Sequence, residues 1–274
     1  MAFLQLNYHS QVLGMDTGVY IIMPEKSQEI GQKGMSGDVD EFPVLWLLHG
    51  RSNDETMWLR KTSIERYVGS LGMMVVMPSV GYSRYQNMKY GPRYYDFMTE
   101  ELPAFLKKMF PKMSMEREKN YLAGLSMGGG GSMHIGLRNT DKYGTICMLS
   151  TGGVPPLEGT WRNEPSGVKE SKDLLAQQTN FDIYGVADTD TLAGTEYDIL
   201  KLIRDTAEQH KVLPKVYHAM GVDDKRYPVA MAIKDTFESI PGNPYRYEYH
   251  EGPGSHEWGF WDTWIKNFLD SLSE

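Results

Sequence analysis

The sequence predicts an α/β protein built on a mostly parallel, doubly wound sheet. Apolar runs of strand length alternate with segments of helical period almost from end to end, which is typical of successive βα units. Several of these runs are continuously apolar, as expected for strands that are covered on both faces. Right-handed crossovers would bring the carboxyl ends of the parallel strands to one edge, where open α/β sheets bind their ligands.

The apolar runs predict seven strands and the intervening segments predict six helices. The strands are Gly18–Met23, Pro43–Leu48, Met73–Met77, Tyr121–Leu125, Thr145–Leu149, Val216–Met220 and Tyr245–His250. The helices are Thr56–Gly69, Asp96–Phe110, Gly129–Arg138, Tyr197–His210, Val229–Ile240 and Glu257–Leu272.

Two stretches interrupt this alternation. Pro24–Glu41 is polar and rich in glycine and lysine, which predicts a surface loop between the first two predicted strands. Residues 151–194 lack clear periodicity, and we interpret them as a small cap or pocket-lining insertion over the catalytic edge rather than a plain surface loop. No linker or repeat separates the rest, so we expect a single domain spanning residues 1–274.

Composition limits the classes of partner. A formal charge of −8 argues against nucleic acid or an anionic membrane as a general partner. The single cysteine, Cys147, excludes an internal disulfide and a cysteine metal site, and its apolar surroundings predict a small buried hydrophobe. The N-terminus lacks a basic region followed by an apolar core, and no stretch approaches the length of a membrane span. We therefore expect a cytoplasmic protein, although a secreted chain after signal removal would show the same features.

Ser126 is the predicted nucleophile. It lies in Gly124-Leu125-Ser126-Met127-Gly128, the only G-x-S-x-G in the chain, between a predicted strand and a predicted helix. In this context the serine occupies a strained turn that exposes its hydroxyl, and the glycines let neighbouring backbone approach closely. We prefer this interpretation to a structural serine in a turn.

A base and an acid are expected in later loops, in the chain order serine, acid, histidine. Of the seven histidines, only His256 lies in a Gly/Pro-shaped loop beyond the last predicted strand, and we favour it over His250. The turn after Val216–Met220 presents two carboxylates, Asp223 and Asp224, and their spacing does not decide between them.

The oxyanion of an acyl-transfer reaction requires backbone donors. The amide of Met127 follows the nucleophile at a helix N-terminus, and that of Arg51 lies after a strand end in Leu48-His49-Gly50-Arg51. The neighbouring Ser52 is the alternative second donor, and we also take it as a candidate pocket residue. His49 would be a structural hydrogen-bonding residue, since it precedes the serine. The tyrosine-rich segment 81–90 is compatible both with a substrate-binding wall containing Tyr85 and Tyr90 and with an ordinary half-buried loop.

With these motifs assembled, the chain resembles the esterase D family of α/β-hydrolases, in particular its tributyrin-esterase-like bacterial branch. The resemblance runs nearly the full length. Its most specific blocks are Gly124-Leu125-Ser126-Met127-Gly128-Gly129 and Gly254-Ser255-His256-Glu257-Trp258, the latter followed by Trp261-Asp262.

The resemblance implies a serine carboxylesterase with the α/β-hydrolase fold, acting on short acyl esters without metal or organic cofactor. Acetylated or feruloylated carbohydrates are substrates of relatives, and homo-oligomers, dimers or tetramers, are expected. The family's nucleophile, acid and base fall on Ser126, Asp224 and His256, because its acid ends a Gly-x-x-acid turn. We also take Trp258 as a pocket residue.

Two departures from the family are notable. Gly130 replaces a bulkier residue common in relatives, and Arg51 and Lys225 bring positive charge where relatives often carry apolar residues. An acyltransferase that uses the same triad is the first alternative function. A non-catalytic binding protein of the same fold is the second, since a fold alone never guarantees activity.

Overall fold

One eight-stranded sheet organises the residues that the computed structural model describes, which are 1–25, 40–157, 169–209 and 212–272. The strands are β1 (Ala2–Ser10), β2 (Met15–Met23), β3 (Val44–Leu48), β4 (Met74–Pro78), β5 (Asn120–Leu125), β6 (Thr145–Leu149), β7 (Lys215–Gly221) and β8 (Glu248–Gly252). Their order across the sheet is β1-β2-β4-β3-β5-β6-β7-β8. Strands β3 to β8 are parallel, whereas β1 and β2 form an antiparallel hairpin that joins the sheet at β4.

Helices cover both faces of this sheet. They are α1 (Met57–Lys61), α2 (Ile64–Val68), α3 (Tyr94–Asp96), α4 (Leu102–Met109), α5 (Met127–Arg138), α6 (Lys169–Tyr184), α7 (Ile199–Gln209), α8 (Tyr227–Glu238) and α9 (Trp258–Ser271). Side chains of α1, α2 and α9 pack on one face, and those of α4, α5, α7 and α8 pack on the other. The predicted α/β class with a mostly parallel, doubly wound sheet is therefore confirmed.

The continuously apolar strands are buried on both faces, as their composition predicts. In β3, Leu45 and Leu47 face the layer of α9, while Trp46 and Leu48 face the layer of α4 and α5. Cys147 is fully buried on the first of these faces, and burial raises the pKa of its thiol. The cysteine is therefore a small core hydrophobe.

The first strand was missed by the sequence analysis. Residues 2–10 alternate between exposed and half-buried positions, and this period of two is the signal of an antiparallel strand with one solvated face. The turn that follows is held by Glu101, whose carboxylate accepts from the hydroxyl of Ser10 and from the amide of Gln11 at 2.7 Å.

Three other predicted elements differ in their bounds. The helix predicted over Thr56–Gly69 is two short helices, α1 and α2, because Thr62 is extended and Asp262 accepts from the amide of Ser63. The helix predicted over Asp96–Phe110 begins at Tyr94 and contains a π-helical turn, Phe97–Glu101, just before Pro103, which has no N–H to donate. The last strand lies at β8 rather than at Tyr245–His250.

The segment expected to form a cap is only partly described. Residues 158–168 of it, and residues 26–39 of the predicted loop Pro24–Glu41, lie outside the described residues, as does His210 of the predicted helix Tyr197–His210. Within the remainder, α6 ends against the loop that follows β4. There Lys89 donates its amide to the carbonyl of Ile183 at 3.0 Å, and Tyr90 donates to that of Asp182 at 2.9 Å. In the described ranges, no helix is long and apolar enough to cross a membrane.

Candidate active site

Ser126 occupies a strained turn between β5 and α5. Its backbone has φ 52° and ψ −116°, a left-handed conformation that a non-glycine residue rarely adopts. The two motif glycines are required by close packing. A methyl group at Gly124 would lie 2.4 Å from the backbone of Gly128, and one at Gly128 would lie 2.4 Å from the carbonyl oxygen of Leu48. The turn therefore holds the serine where β5 ends, at the carboxyl edge of the sheet.

His256 lies in the loop between β8 and α9 and reaches this serine. Its Nε2 lies 3.0 Å from Ser126 Oγ, although 130 positions separate the two residues in sequence. Gly254 gives the loop its shape with φ 134°. Gly221, at the end of β7, has no room for a side chain, since a methyl group there would lie 2.3 Å from the carbonyl oxygen of Gly254.

Burial distinguishes the two candidate acids, Asp223 and Asp224. Asp224 is 0% exposed, and its Oδ2 accepts from His256 Nδ1 at 2.8 Å while its Oδ1 accepts from the amide of Arg226 at 2.8 Å. Asp223 is exposed. Burial alone would raise the pKa of the Asp224 carboxyl. The hydrogen bond and charge of His256, together with the Arg226 amide, nevertheless hold this pKa below its usual value. The acid is thus ionised and oriented towards the imidazole.

The His49 side chain stabilises the loop after β3 through two hydrogen bonds. Its Nδ1 donates to the carbonyl of Gly50 at 2.8 Å and its Nε2 accepts from the amide of Val80 at 3.1 Å, so both ring nitrogens are used. Burial lowers the pKa of this imidazole and keeps it neutral. His49 is therefore a structural residue, as expected.

The two amides predicted to bind an oxyanion are those of Met127 and Arg51. In the described part of the chain, neither the amide of Met127 nor that of Arg51 has a hydrogen-bond acceptor. Met127 is the first residue of α5, where the helix dipole favours negative charge. Both amides therefore lack an internal partner among the described residues, as the predicted role requires.

The four predicted pocket residues have different environments. Ser52 is exposed and its hydroxyl lies 3.0 Å from that of Tyr82, whose ring also lies 5.6 Å from the Arg51 guanidinium. Tyr90 is exposed and stacks on Phe181 of α6, with ring centroids 5.0 Å apart.

The structure contradicts the prediction that Tyr85 lines the substrate pocket. Its ring is fully buried and its hydroxyl donates to the carbonyl of His49 at 2.9 Å, so it supports the loop after β3 and does not line an open pocket. The left-handed backbone at Arg84 and Tyr85 turns this ring inward, which sequence reasoning did not anticipate.

Trp258 belongs to an aromatic group that the sequence analysis did not identify. Its ring is perpendicular to those of Trp58 and Trp261, at centroid distances of 5.5 and 5.1 Å. Trp261 in turn is perpendicular to His256, at 5.0 Å. The sequence signal was the i, i+3 pair of tryptophans directly after the histidine, which places both rings on one side of α9.

The departure at Gly130 has a packing explanation. A methyl group there would lie 2.7 Å from the carbonyl oxygen of Gly152 and 2.8 Å from the side chain of Val154. The loop after β6 thus packs directly on the first turn of α5. Lys225, the other departure besides Arg51, is exposed.

This fold, and the chain order of its serine, acid and histidine, place the protein among the serine hydrolases of the α/β-hydrolase fold. A family model described as "Putative esterase" matches residues 10–273, so the chain belongs to that esterase family and is a carboxylic ester hydrolase.

Individual relatives agree with this assignment. The chain is 27% identical over 278 residues to an acetyl esterase of Caldicellulosiruptor saccharolyticus, covering 100% of this chain and 99% of the relative. Its structure resembles that of a substrate-bound fluorophosphonate-binding serine hydrolase F of Staphylococcus aureus, with a TM-score of 0.82, 31% identity and coverage of 100% and 98%. It also resembles an S-formylglutathione hydrolase of Staphylococcus aureus, with a TM-score of 0.80, 30% identity and coverage of 100% and 99%.

Proposed function

We propose that the protein hydrolyses short-chain acyl esters through an acyl-enzyme formed on Ser126. The observation that carries this proposal is the hydrogen-bonded chain from Ser126 Oγ through His256 to the buried Asp224. His256 Nε2 takes the hydroxyl proton while Oγ attacks the ester carbonyl carbon. It then returns that proton to the departing alkoxide, so the alcohol leaves and the acyl group stays on the serine. Water, deprotonated at the same nitrogen, releases the acid and restores the hydroxyl.

Charge developing in this reaction is matched by fixed groups. The ionised carboxylate of Asp224 stabilises the imidazolium that forms on His256, and it holds the ring with Nδ1 protonated. The amides of Met127 and Arg51 bind the carbonyl oxygen as it becomes negative. Preorganised donors of this kind are worth about 10²–10³ in kcat each.

The names of two relatives, an acetyl esterase and an S-formylglutathione hydrolase, specify small acyl groups, acetyl and formyl. We propose acetyl or butyryl esters as the substrates of this chain. Acylated carbohydrates, which vary the alcohol, and feruloylated carbohydrates, which also vary the acyl group, are further substrates to be tested. We further propose a cytoplasmic homo-oligomer that contains one catalytic domain per chain, binds no nucleic acid and uses no metal or organic cofactor.

The test is the initial rate of hydrolysis of 4-nitrophenyl acetate, butyrate and octanoate and of a feruloyl ester. Ser126→Ala should lower kcat by about 10⁵–10⁶ relative to the wild type, because the nucleophile is absent. Ser132→Ala is the matched control on the same helix, since among the described residues the Ser132 hydroxyl donates only to the carbonyl of Gly128 within α5. It should retain nearly full activity.

The dependence of the rate on the length of the acyl chain then shows which acyl group the enzyme prefers. We expect the acetate and butyrate to be hydrolysed faster than the octanoate. Equal, trivial rates in the wild type and in Ser126→Ala would refute the proposal. Product analysis with added alcohols separates hydrolysis from acyl transfer.

A further inference from the structure

Three tryptophans form a continuous wall beside the histidine of the site. Trp261 meets the imidazole of His256 at a centroid distance of 5.0 Å and an interplanar angle of 89°. Behind it, Trp258 is perpendicular to Trp261, and Trp58 is perpendicular to Trp258. We define Trp58, Trp258 and Trp261 as the tryptophan wall. Perpendicular aromatic contacts at such distances are attractive and directional.

The far end of the wall touches the loop that carries the predicted oxyanion donor. The indole N–H of Trp58 donates to the carbonyl of Leu48 at 3.0 Å, and Leu48 is the last residue of β3 before His49-Gly50-Arg51. A line of direct contacts therefore runs from the imidazole to the loop of the Arg51 amide. These two parts of the site come from opposite ends of the chain.

The wall is itself firmly anchored. Trp58 is 1% exposed and Trp261 is 6% exposed, and both belong to the core between the sheet and α9. The residue next to Trp261, Asp262, accepts from the amide of Ser63 and from the hydroxyl of Tyr67, which ties α9 to α2. The wall can therefore hold a ring that packs against it.

His256 requires such lateral support. Its two hydrogen bonds, to Asp224 and to Ser126, both lie at ring nitrogens, and neither of them supports the ring against a sideways shift out of the line between these two partners. The loop that bears it follows Gly252, the last residue of β8, and contains Pro253 and Gly254; the imidazole is 30% exposed. A sideways shift of the ring would lengthen the contact between Nε2 and Oγ.

We propose that Trp261 is a positioning residue for His256 and that, through Trp258 and Trp58, the wall sets the base and the oxyanion loop at a fixed separation. This inference rests on the proposed function, in which His256 is the base. In the described part of the chain the indole N–H of Trp261 has no hydrogen-bond acceptor, so the contribution comes from the ring. A phenylalanine should therefore preserve it.

The experiment compares Trp261→Leu, Trp261→Phe and Trp264→Leu in hydrolysis of 4-nitrophenyl acetate. Trp264 is the matched control, because it lies on the same helix and contacts Tyr217, His250 and Phe260, but no ring contact joins it to His256. We expect Trp261→Leu to lower kcat by about 10- to 100-fold with KM nearly unchanged, as for a misplaced reacting group. Trp261→Phe should recover kcat to within about threefold of the wild type, and Trp264→Leu should match the wild type.

Two results would overturn the proposal. One is full kcat in a folded Trp261→Leu protein, and the other is an equal loss of kcat in Trp264→Leu. If Trp261→Leu does not fold, as judged by circular dichroism, Trp258→Leu decides. Its half-buried ring contacts Trp58 and Trp261, so a kcat about threefold to tenfold lower at constant KM supports the wall, and an unchanged kcat refutes it. Loss of activity in Ser126→Ala tests the ester-hydrolase function separately from these variants.

Discussion

Replacing Asp224 by asparagine should inactivate the enzyme through the tautomer of His256. Both carboxylate oxygens of Asp224 accept a hydrogen bond at 2.8 Å, one from the Arg226 amide and one from His256 Nδ1. An asparagine offers one acceptor and one donor, so it cannot accept both. One of the two bonds must be lost or reversed.

The structure indicates which arrangement is favoured. If the amide oxygen faces His256, the NH₂ group faces the Arg226 N–H in a site that is 0% exposed, and an unsatisfied buried donor costs about 1–3 kcal/mol. If the oxygen faces Arg226 instead, the NH₂ donates to Nδ1 and all groups are satisfied. The imidazole then carries its proton on Nε2 and cannot accept the proton of Ser126. The second arrangement should prevail and lower kcat by about 10⁴-fold, which corresponds to roughly 5 kcal/mol.

The assay is the initial rate of 4-nitrophenyl acetate hydrolysis by Asp224→Asn and by Asp223→Asn. The second variant is the matched control, because Asp223 is the exposed neighbour in the same turn, and its rate should stay within about threefold of the wild type. A fall in kcat of less than tenfold in a folded Asp224→Asn protein would refute the reasoning about the tautomer.

Three further predictions concern specificity, packing and pH. Arg51→Met should lower the rate on carboxylated esters relative to neutral ones, and unchanged relative rates in a paired kinetic assay would rule out a role for this charge in selecting the substrate. Gly130→Ala should destabilise the protein by about 1–3 kcal/mol, since the added methyl would lie 2.7 Å from a carbonyl oxygen. Gly259 has open space around it, so Gly259→Ala should not lower the stability, and urea denaturation compares the free energies of unfolding of the two variants. His134 and His218 are buried and each pKa is lowered to about 3, chiefly by burial, so the unfolded state binds more protons below pH 6.5. The free energy of unfolding should fall as pH decreases from 6.5 towards 3, and His134→Gln should flatten that dependence; an unaltered pH profile would contradict this origin.

Local signals explain why much of the site could be predicted from the sequence. The nucleophile motif specifies its own turn, because two glycines and a strained serine fit one geometry, and the glycine-shaped loop singled out His256 in the same way. Asp223 and Asp224 could not be separated by spacing, since adjacent residues in a turn differ only in which one tertiary packing buries. Resemblance to a family favoured Asp224, and its complete burial beside His256 agrees.

Residues that depend on tertiary contacts were harder to predict. The tyrosine-rich segment of Tyr85 left a pocket wall and an ordinary loop equally open, and the structure buries Tyr85 in the core, where its backbone is left-handed. Strand β1 was overlooked although Leu4, Leu6 and Tyr8 alternate with polar residues, as expected of a strand with one solvated face. The spacing of Trp258 and Trp261 is visible in the sequence, but the contact between Trp58 and Trp258 joins residues 200 positions apart, for which a single sequence contains no signal.

The long sequence separation within the site also has a consequence for refolding. Ser126 follows β5, whereas His256 follows β8, the last strand of the sheet, so the contact that would activate Ser126 in the proposed reaction cannot form until the C-terminal strand and α9 have docked. Such non-local parallel pairings are slow to form, because the entropy of loop closure is lost before the new contacts stabilise the structure. The return of activity after dilution from denaturant should therefore report on the closing step at the C-terminal end of the sheet, later than the burial of the central strands.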